Sequence, residues 1–187
     1  MLILCRRDWH RSFRSFIFHY LMRVLMVNIS VIGGSTCPDE IYEAAREIGR
    51  LLARSGATVI CGGLGGVMEA VARGTREEGG KCIGILPGSD ASEGNEYLTA
   101  AIPTGIGFAR DFLVVRAGDA VIAIDGQSGT STEAYFAMSE KKPLICLYRE
   151  DLKTSKNSDG PVVHVNSPEE AVRDALKLAK PRNKDVS

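Results

Sequence analysis

The 187 residues are enough for one domain with a buried core, and 44% apolar with 25% charged residues is the composition of an ordinary globular protein. Lysine and arginine (23) balance aspartate and glutamate (23), but residues 1–26 hold five arginines and one aspartate. The remaining chain, with 18 basic and 22 acidic residues, is mildly acidic, which argues against nucleic acid as the main partner.

Residues 1–25 are a basic and aromatic extension ahead of the first predicted strand. Charges interrupt each apolar run, so the extension is neither a secretory signal nor long enough to span a bilayer. Three interpretations stay open: a transit peptide, a segment that contacts a partner, or a true start at Met22 or Met26. We expect residues 26–180 to form a single domain and residues 181–187 a frayed tail.

Strands and helices alternate from Met26 onward. The first half predicts strands at Val27–Ile32, Thr58–Cys61 and Lys81–Leu86, a helix with an apolar stripe from Ile41 to Leu52 that is ended by Gly56, and a helix to Glu78. The second half predicts an apolar stretch at Ala100–Pro103, strands at Asp119–Ile124, Pro143–Tyr148 and Val162–Val165, and helices to Arg116, to Glu140 and from Ser167. Residues 88–96 and 149–160 read as polar loops, the second of them mobile.

This alternation with short connections is typical of an α/β fold. It predicts a Rossmann-like three-layer sandwich, with a mainly parallel sheet of about six or seven strands flanked by helices.

The cysteines and histidines show neither a CxxC pair nor metal-ligand spacing. The five cysteines are Cys5, Cys37, Cys61, Cys82 and Cys146. An odd number in a domain of this size favours a reducing compartment and structural thiols. We therefore expect a cytoplasmic protein without a metal site.

Two glycine-rich turns each join a strand to a helix. The first is Gly62-Gly63-Leu64-Gly65-Gly66 and the second is Gly126-Gln127-Ser128-Gly129-Thr130. Glycine permits positive φ and a close approach of the backbone to a ligand, and a helix N-terminus favours phosphate. The pair of turns predicts a phosphorylated, nucleotide-like ligand.

Two familiar nucleotide-binding motifs do not match the chain. The first strand ends in Gly33-Gly34-Ser35-Thr36 instead of GxGxxG, and no acidic residue follows the second strand to hold a ribose. A P-loop is excluded because no glycine run is followed by GK[ST].

Both glycine turns carry a family resemblance. The run from Gly62 to Met68 resembles the GGxxGxM element of the LOG-like superfamily, often mislabelled lysine decarboxylase-like, and the run from Gly126 to Glu133 resembles its GGxGTxxE element. The segment Pro103–Arg110, with Val115-Arg116 and Asp119–Ile124 after it, most resembles the branch that includes the molybdenum-cofactor carrier proteins. The resemblance runs in order from Val27 to Tyr148.

The resemblance implies a homodimer or homotetramer with a phosphoribosyl ligand over the two turns. LOG enzymes hydrolyse the N-glycosidic bond of nucleoside 5′-monophosphates, and their essential arginine and glutamate correspond to Arg110 and Glu133. A carboxylate there stabilises positive charge on the ribose, and an arginine orients phosphate or sugar. The ligand-binding residues are then expected to be Gly33, Gly34, Ser35, Gly62, Gly63, Gly65, Gly66, Thr104, Gly105, Gly126, Gln127, Ser128, Gly129 and Thr130.

This chain departs from the enzymes at two positions. The enzymes carry a lysine after the arginine, whereas this chain has Asp111, which brings an acid towards a phosphate site. In the second turn, Gln127 of this chain replaces a glycine of the enzymes. Thr130 and Glu133 also have the spacing of a capping box, so Glu133 has a structural interpretation beside the catalytic one.

These departures favour a binding or carrier protein for a phosphorylated nucleotide-like or pterin-like ligand, such as a molybdopterin-type cofactor. The alternative is a nucleoside 5′-monophosphate phosphoribohydrolase that uses Arg110 and Glu133. A pyridoxal phosphate decarboxylase is rejected, because Lys141 and Lys142 lie two helical turns beyond Glu133. The expected partners are a small phosphorylated ligand and further copies of the chain, without nucleic acid or membrane, and no cofactor is required.

Overall fold

The computed structural model describes residues 27–125, 128–149, 152 and 160–179. Within them the strands are β1 (Asn28–Gly33), β2 (Thr58–Cys61), β3 (Lys81–Leu86), β4 (Ala100–Pro103), β5 (Ala120–Ile124), β6 (Leu144–Leu147) and β7 (Val162–Val165). The helices are α1 (Asp39–Arg54), α2 (Val67–Glu77), α3 (Asp111–Ala117), α4 (Ser128–Ser139) and α5 (Pro168–Leu178). The predicted extension at residues 1–25 and the tail at 181–187 lie outside the described residues.

The seven strands form one parallel sheet in the order β4-β3-β2-β1-β5-β6-β7. Helices α1, α2 and α5 contact one another or the sheet through one apolar cluster, and α3 and α4 pack through a second cluster on the other face. The predicted Rossmann-like three-layer sandwich is therefore confirmed. None of the helices in the described part of the chain is both long and apolar enough to cross a membrane.

The central strands are apolar on both faces because helices cover both sides of the sheet. All five residues of β5 are buried, as are all four residues of β2 and of β6. Such continuous β-branched runs are typical of strands inside a parallel sheet. The sheet separates the two apolar clusters, and each cluster lies between one face of the sheet and the helices that cover it.

Most predicted elements have the predicted bounds to within a residue or two. The stretch Ala100–Pro103 is edge strand β4, paired with β3. The Ser167 hydroxyl accepts a hydrogen bond from the Glu170 N–H at 3.3 Å and so caps α5, as its sequence predicts. Of the loop predicted at 149–160, Arg149, Leu152 and Gly160 are described, and all three are buried.

Helices α1 and α2 approach each other closely at two glycines. A Cβ at Gly74 would overlap the backbone of Arg46, and a Cβ at Gly49 would overlap the backbone of Val71 and Thr75. The Thr75 hydroxyl lies in the same contact and donates to the carbonyl of Val71 at 2.7 Å. This close packing fixes α2, and with it the first glycine-rich turn that precedes the helix.

Candidate functional site

A cavity of 760 Å³ lies at the carboxyl ends of the central strands. The order of the sheet reverses between β1 and β5, since β2 to β4 extend from one side of β1 and β5 to β7 from the other. In open α/β sheets this switch point is where ligands bind, because the loops diverge there and leave a crevice. The volume is that of a site for a small molecule.

The cavity brings together residues from several distant segments of the chain. Of the residues predicted from the sequence, those that line it are Gly33, Gly34, Ser35, Gly62, Arg110, Gly129, Thr130 and Glu133. The turn after β1 forms one wall and the first turns of α4 form another. The first backbone N–H groups of a helix have no partner within the helix, so α4 presents donors at this wall.

Other predicted residues lie beside the cavity and have structural contacts. Gly63 takes a φ of 75° and packs on Leu86, while Gly66 takes a φ of 62° where a Cβ would overlap the Gly34 carbonyl. Gly65 lies against the Ser35 carbonyl. The Thr104 hydroxyl donates to the Leu86 carbonyl at 2.7 Å, and the Gly105 N–H donates to the Gly88 carbonyl at 2.9 Å.

The second glycine-rich turn is described only in part. Gly126 and Gln127 lie outside the described residues, and Ser128 is the first residue of α4. Thr130 is therefore inside the helix and not at its N-cap position. Thr130 and Glu133 therefore do not form the capping box that the sequence suggested. The Glu133 side chain lines the cavity instead.

The Arg110 side chain is buried at the edge of the cavity, with only 5% of its surface exposed. Its guanidinium packs over Gly62, where a Cβ would overlap both Arg110 Nη1 and the sulfur of Met68. Arg110 Nε lies 3.0 Å from Asp111 Oδ1, an ion pair without the alignment of a hydrogen bond. The buried Nε–H therefore has no hydrogen-bond acceptor within the described chain.

Glu133 is buried beside this ion pair. Burial, and secondarily the negative charge of Asp111, raise the pKa of Glu133 to about 8, although Arg110 opposes the shift. Burial also raises the pKa of Asp111, again against the effect of Arg110. The Glu133 carboxyl is consequently protonated at neutral pH.

Arg149 is a buried residue behind the cavity that the sequence analysis missed. It follows β6, is buried, and donates from Nη2 to the Ser131 hydroxyl at 2.9 Å and from Nη1 to the Asp125 carbonyl at 3.3 Å. Asp125 lines the cavity with a φ of 41°, a strained conformation for a residue with a Cβ. Arg149 thus links Asp125 to Ser131, the residues that flank the second turn in the sequence. The sequence signal was a charged residue directly after a buried strand.

Cys37 also lines the cavity and was predicted only as a structural thiol. Burial, followed by the charge of Asp125, raises its pKa, so the thiol is neutral and poorly nucleophilic. Among the described residues, no group of three histidine, cysteine, aspartate or glutamate side chains converges to hold a metal ion.

Comparison with known proteins agrees with this fold. Residues 26–172 match the SLOG cluster4 family. A protein from Archaeoglobus fulgidus is 38% identical over 122 residues, which are 65% of this chain and 80% of that protein. The molybdenum cofactor binding protein from Rippkaea orientalis has a TM-score of 0.71 at 27% identity, over 83% of this chain and 98% of that one.

The molybdenum cofactor carrier protein from Chlamydomonas reinhardtii has the same TM-score of 0.71 at 26% identity, over 81% of this chain and 98% of that one. The resemblance seen in the two glycine-rich turns is thus confirmed over most of the chain. This protein belongs to the SLOG cluster4 family of the LOG-like superfamily.

Proposed function

We propose that this protein binds and carries a phosphorylated nucleotide-like or pterin-like ligand in the cavity at the switch point. The observation that supports this proposal most strongly is the convergence of the turn after β1, the start of α4 and the buried Arg110 on one cavity of 760 Å³. The start of α4 supplies backbone donors for a phosphate, and the cavity is large enough for an attached ring.

The similarity to molybdenum cofactor binding and carrier proteins supports a pterin-type ligand. Two such proteins are matched over nearly their whole length. In this proposal the ligand is cargo that is held and released, so the site needs binding groups and no resident cofactor.

The charges of the site favour binding over catalysis. Stabilisation of a positive ribose requires an ionised carboxylate. The pKa of Glu133 is raised to about 8, so that at neutral pH this side chain is largely neutral. Asp111 in addition forms an ion pair with Arg110, which draws that cation away from a ligand phosphate.

A second candidate function is hydrolysis of nucleoside 5′-monophosphates to a base and ribose 5-phosphate. It is favoured by one observation, namely that Arg110 and Glu133 both line the cavity. If Glu133 acts there as a carboxylate, the rate must rise with pH towards 8, because the ionised fraction of that side chain rises over this range.

A panel of nucleoside 5′-monophosphates separates the two functions. For the parent protein and Glu133→Gln, base release is measured by chromatography and the melting temperature is measured with each ligand. We expect no base release and a higher melting temperature with bound ligand, since a ligand that binds only the folded state stabilises it.

Base release by the parent but not by Glu133→Gln would overturn the carrier proposal in favour of the hydrolase. If the panel shows no base release and no stabilisation, mononucleotides are excluded as ligands. The same stabilisation assay with pterins then decides whether the carrier proposal survives.

We also propose that the protein is a cytoplasmic homodimer or homotetramer that associates through the α3–α4 face. This face exposes large apolar side chains, which single soluble chains rarely present together. Phe112 and Leu113 of α3 are each 42% exposed, and Tyr135 of α4 is 55% exposed. Phe112 also packs edge-on against Phe136 of α4, with ring centroids 4.6 Å apart, so the two helices present one continuous surface.

The Leu113→Asp substitution is expected to dissociate the oligomer, because it buries a charge in an apolar interface. Sedimentation velocity measures the change as a lower mass. Lys177→Asp on α5 is the control, since it places an aspartate at an exposed helical position on the other face of the sheet. An unchanged mass for Leu113→Asp, or a monomeric parent, would contradict the proposed interface.

A further inference from the structure

Three ionisable side chains in the cavity have unused hydrogen-bonding capacity. Arg110 and Glu133 are each more than nine-tenths buried, and Asp111 lies beside them at the start of α3. Within the described chain, neither carboxyl accepts a hydrogen bond, and the Arg110 Nε–H donates none. The protein has therefore assembled one cationic donor and two carboxyl acceptors without satisfying them.

A buried donor without an acceptor, here the Arg110 Nε–H, is costly unless a ligand completes it. An anionic group alone is a poor match, because Asp111 and any ionised Glu133 repel it and Asp111 already faces Arg110. A ligand edge with one acceptor for Arg110 and neighbouring N–H donors for the carboxyls would satisfy all three groups at once.

From this arrangement we infer that Arg110, Asp111 and Glu133 recognise the 2-amino-4-oxopyrimidine edge of a planar heterocycle. The inference rests on the proposed function, and it names the class of ring that the carried ligand contains. The 4-oxo group accepts from Arg110, while the ring N–H and the 2-amino group donate to the carboxyls. Guanine and pterin share this acceptor–donor–donor edge.

The other common bases present different patterns. Adenine offers a donor followed by an acceptor, cytosine a donor followed by two acceptors, and uracil a donor between two acceptors. Adenine and cytosine place a donor opposite Arg110 and a lone pair opposite the Asp111 carboxylate, and such a mismatch costs binding affinity. The charge balance also suits a neutral ring, because Arg110 and Asp111 already form an ion pair with each other.

The ring of Phe108 supports a planar ligand at this position. Phe108 lines the cavity just before Arg110, yet 86% of its surface is exposed. It follows Gly107, which has a φ of 60°. An aromatic side chain at the edge of a polar cavity is suited to stack on the face of a bound heterocycle.

Asp111→Asn tests the inference, since asparagine has nearly the same shape but turns one acceptor into a donor. The parent, Asp111→Asn and the control Glu43→Gln are titrated calorimetrically with guanosine 5′-monophosphate, adenosine 5′-monophosphate, ribose 5-phosphate and free pterin. Glu43 is an exposed residue of α1 that pairs with Arg46 and does not line the cavity. Circular dichroism establishes that each variant is folded.

We expect the parent to prefer guanosine over adenosine 5′-monophosphate by about tenfold or more, the value of one charge-assisted hydrogen bond. Asp111→Asn should weaken the binding of guanosine 5′-monophosphate and of pterin by a similar factor. The same substitution should leave ribose 5-phosphate unchanged or bound more tightly, and Glu43→Gln should change none of the affinities. Comparing pterin with the guanine nucleotide shows which source of the shared edge is preferred.

The inference is overturned if the parent binds the two nucleotides with equal affinity. It is also overturned if Asp111→Asn loses the binding of ribose 5-phosphate and of guanosine 5′-monophosphate together. In both cases the proposed binding function stands. A parent protein that binds none of the four probes would instead overturn the proposed function, and the inference with it.

Discussion

Glu133→Gln is expected to stabilise the protein at pH 9 by about 3–5 kcal/mol and to leave its stability near pH 4.5 almost unchanged. The pKa of Glu133 rises from 4.5 to about 8 on folding, chiefly because the carboxyl is buried and also because Asp111 is close. The folded state therefore holds a proton that the unfolded state releases. Unfolding in urea at a series of pH values measures the difference between the parent and the variant.

The sign of this effect follows from the raised pKa. Below pH 4.5 both states of the parent are protonated at Glu133, and this group contributes no pH dependence. Between pH 4.5 and about 8 the free energy of unfolding of the parent falls by about 1.4 kcal/mol per pH unit relative to Glu133→Gln. Above pH 8 the difference between the two proteins is constant.

Glu43→Gln is the matched control for this pH series, since it removes an exposed carboxylate from a surface ion pair with Arg46. Its effect should stay within about 1 kcal/mol across the series. Parallel curves for the parent and Glu133→Gln would contradict the burial and charge environment described for Glu133.

The fold could be predicted from the sequence because its pattern is repeated along the chain. Runs such as Ala120–Ile124 are too continuous in β-branched and small apolar residues to have a solvent face, which indicates a parallel sheet. Glycine at Gly56 and the Ser167–Glu170 spacing mark helix ends by local chemistry. These signals depend on neighbouring residues alone, so no tertiary information was needed.

The site could be predicted only in part, because a glycine in a turn has two uses that the sequence does not separate. Gly62 lies beneath Arg110 and lines the cavity, whereas Gly66 is needed where the first two turns pack together. Both stand in the same motif. The packing of the turn after β1 on the turn after β2 is a contact between distant segments, and local spacing carries no record of it.

Charge interactions between distant segments of the chain likewise could not be predicted from the sequence. The capping spacing of Thr130 and Glu133 was a local signal, but α4 begins at Ser128 and turns Glu133 into the cavity. Arg149 is adjacent to a predicted loop and nonetheless buried, because it holds Asp125 and Ser131 on another strand–helix connection. Only the assembled sheet places these groups together.

Gly74→Ala is expected to destabilise the protein by about 2 kcal/mol or more, although alanine is the better helix former by about 1 kcal/mol. A Cβ at Gly74 would overlap the carbonyl group and Cα of Arg46 on α1, and backbone atoms cannot rotate away. The helices must separate, which also moves Gly66 and the turn that packs on the cavity wall. Urea unfolding measures the loss in stability.

Gly129→Ala is the matched substitution, because Gly129 is also helical and, among the described residues, no atom lies within 4 Å of a Cβ built there. Without a clash, alanine should stabilise the protein by about 0.4–1 kcal/mol through the entropy of the unfolded chain. The two variants make the same chemical change with opposite expected signs. Equal effects would mean that helix propensity governs both positions, and that the close contact between α1 and α2 does not constrain the turn beside the cavity.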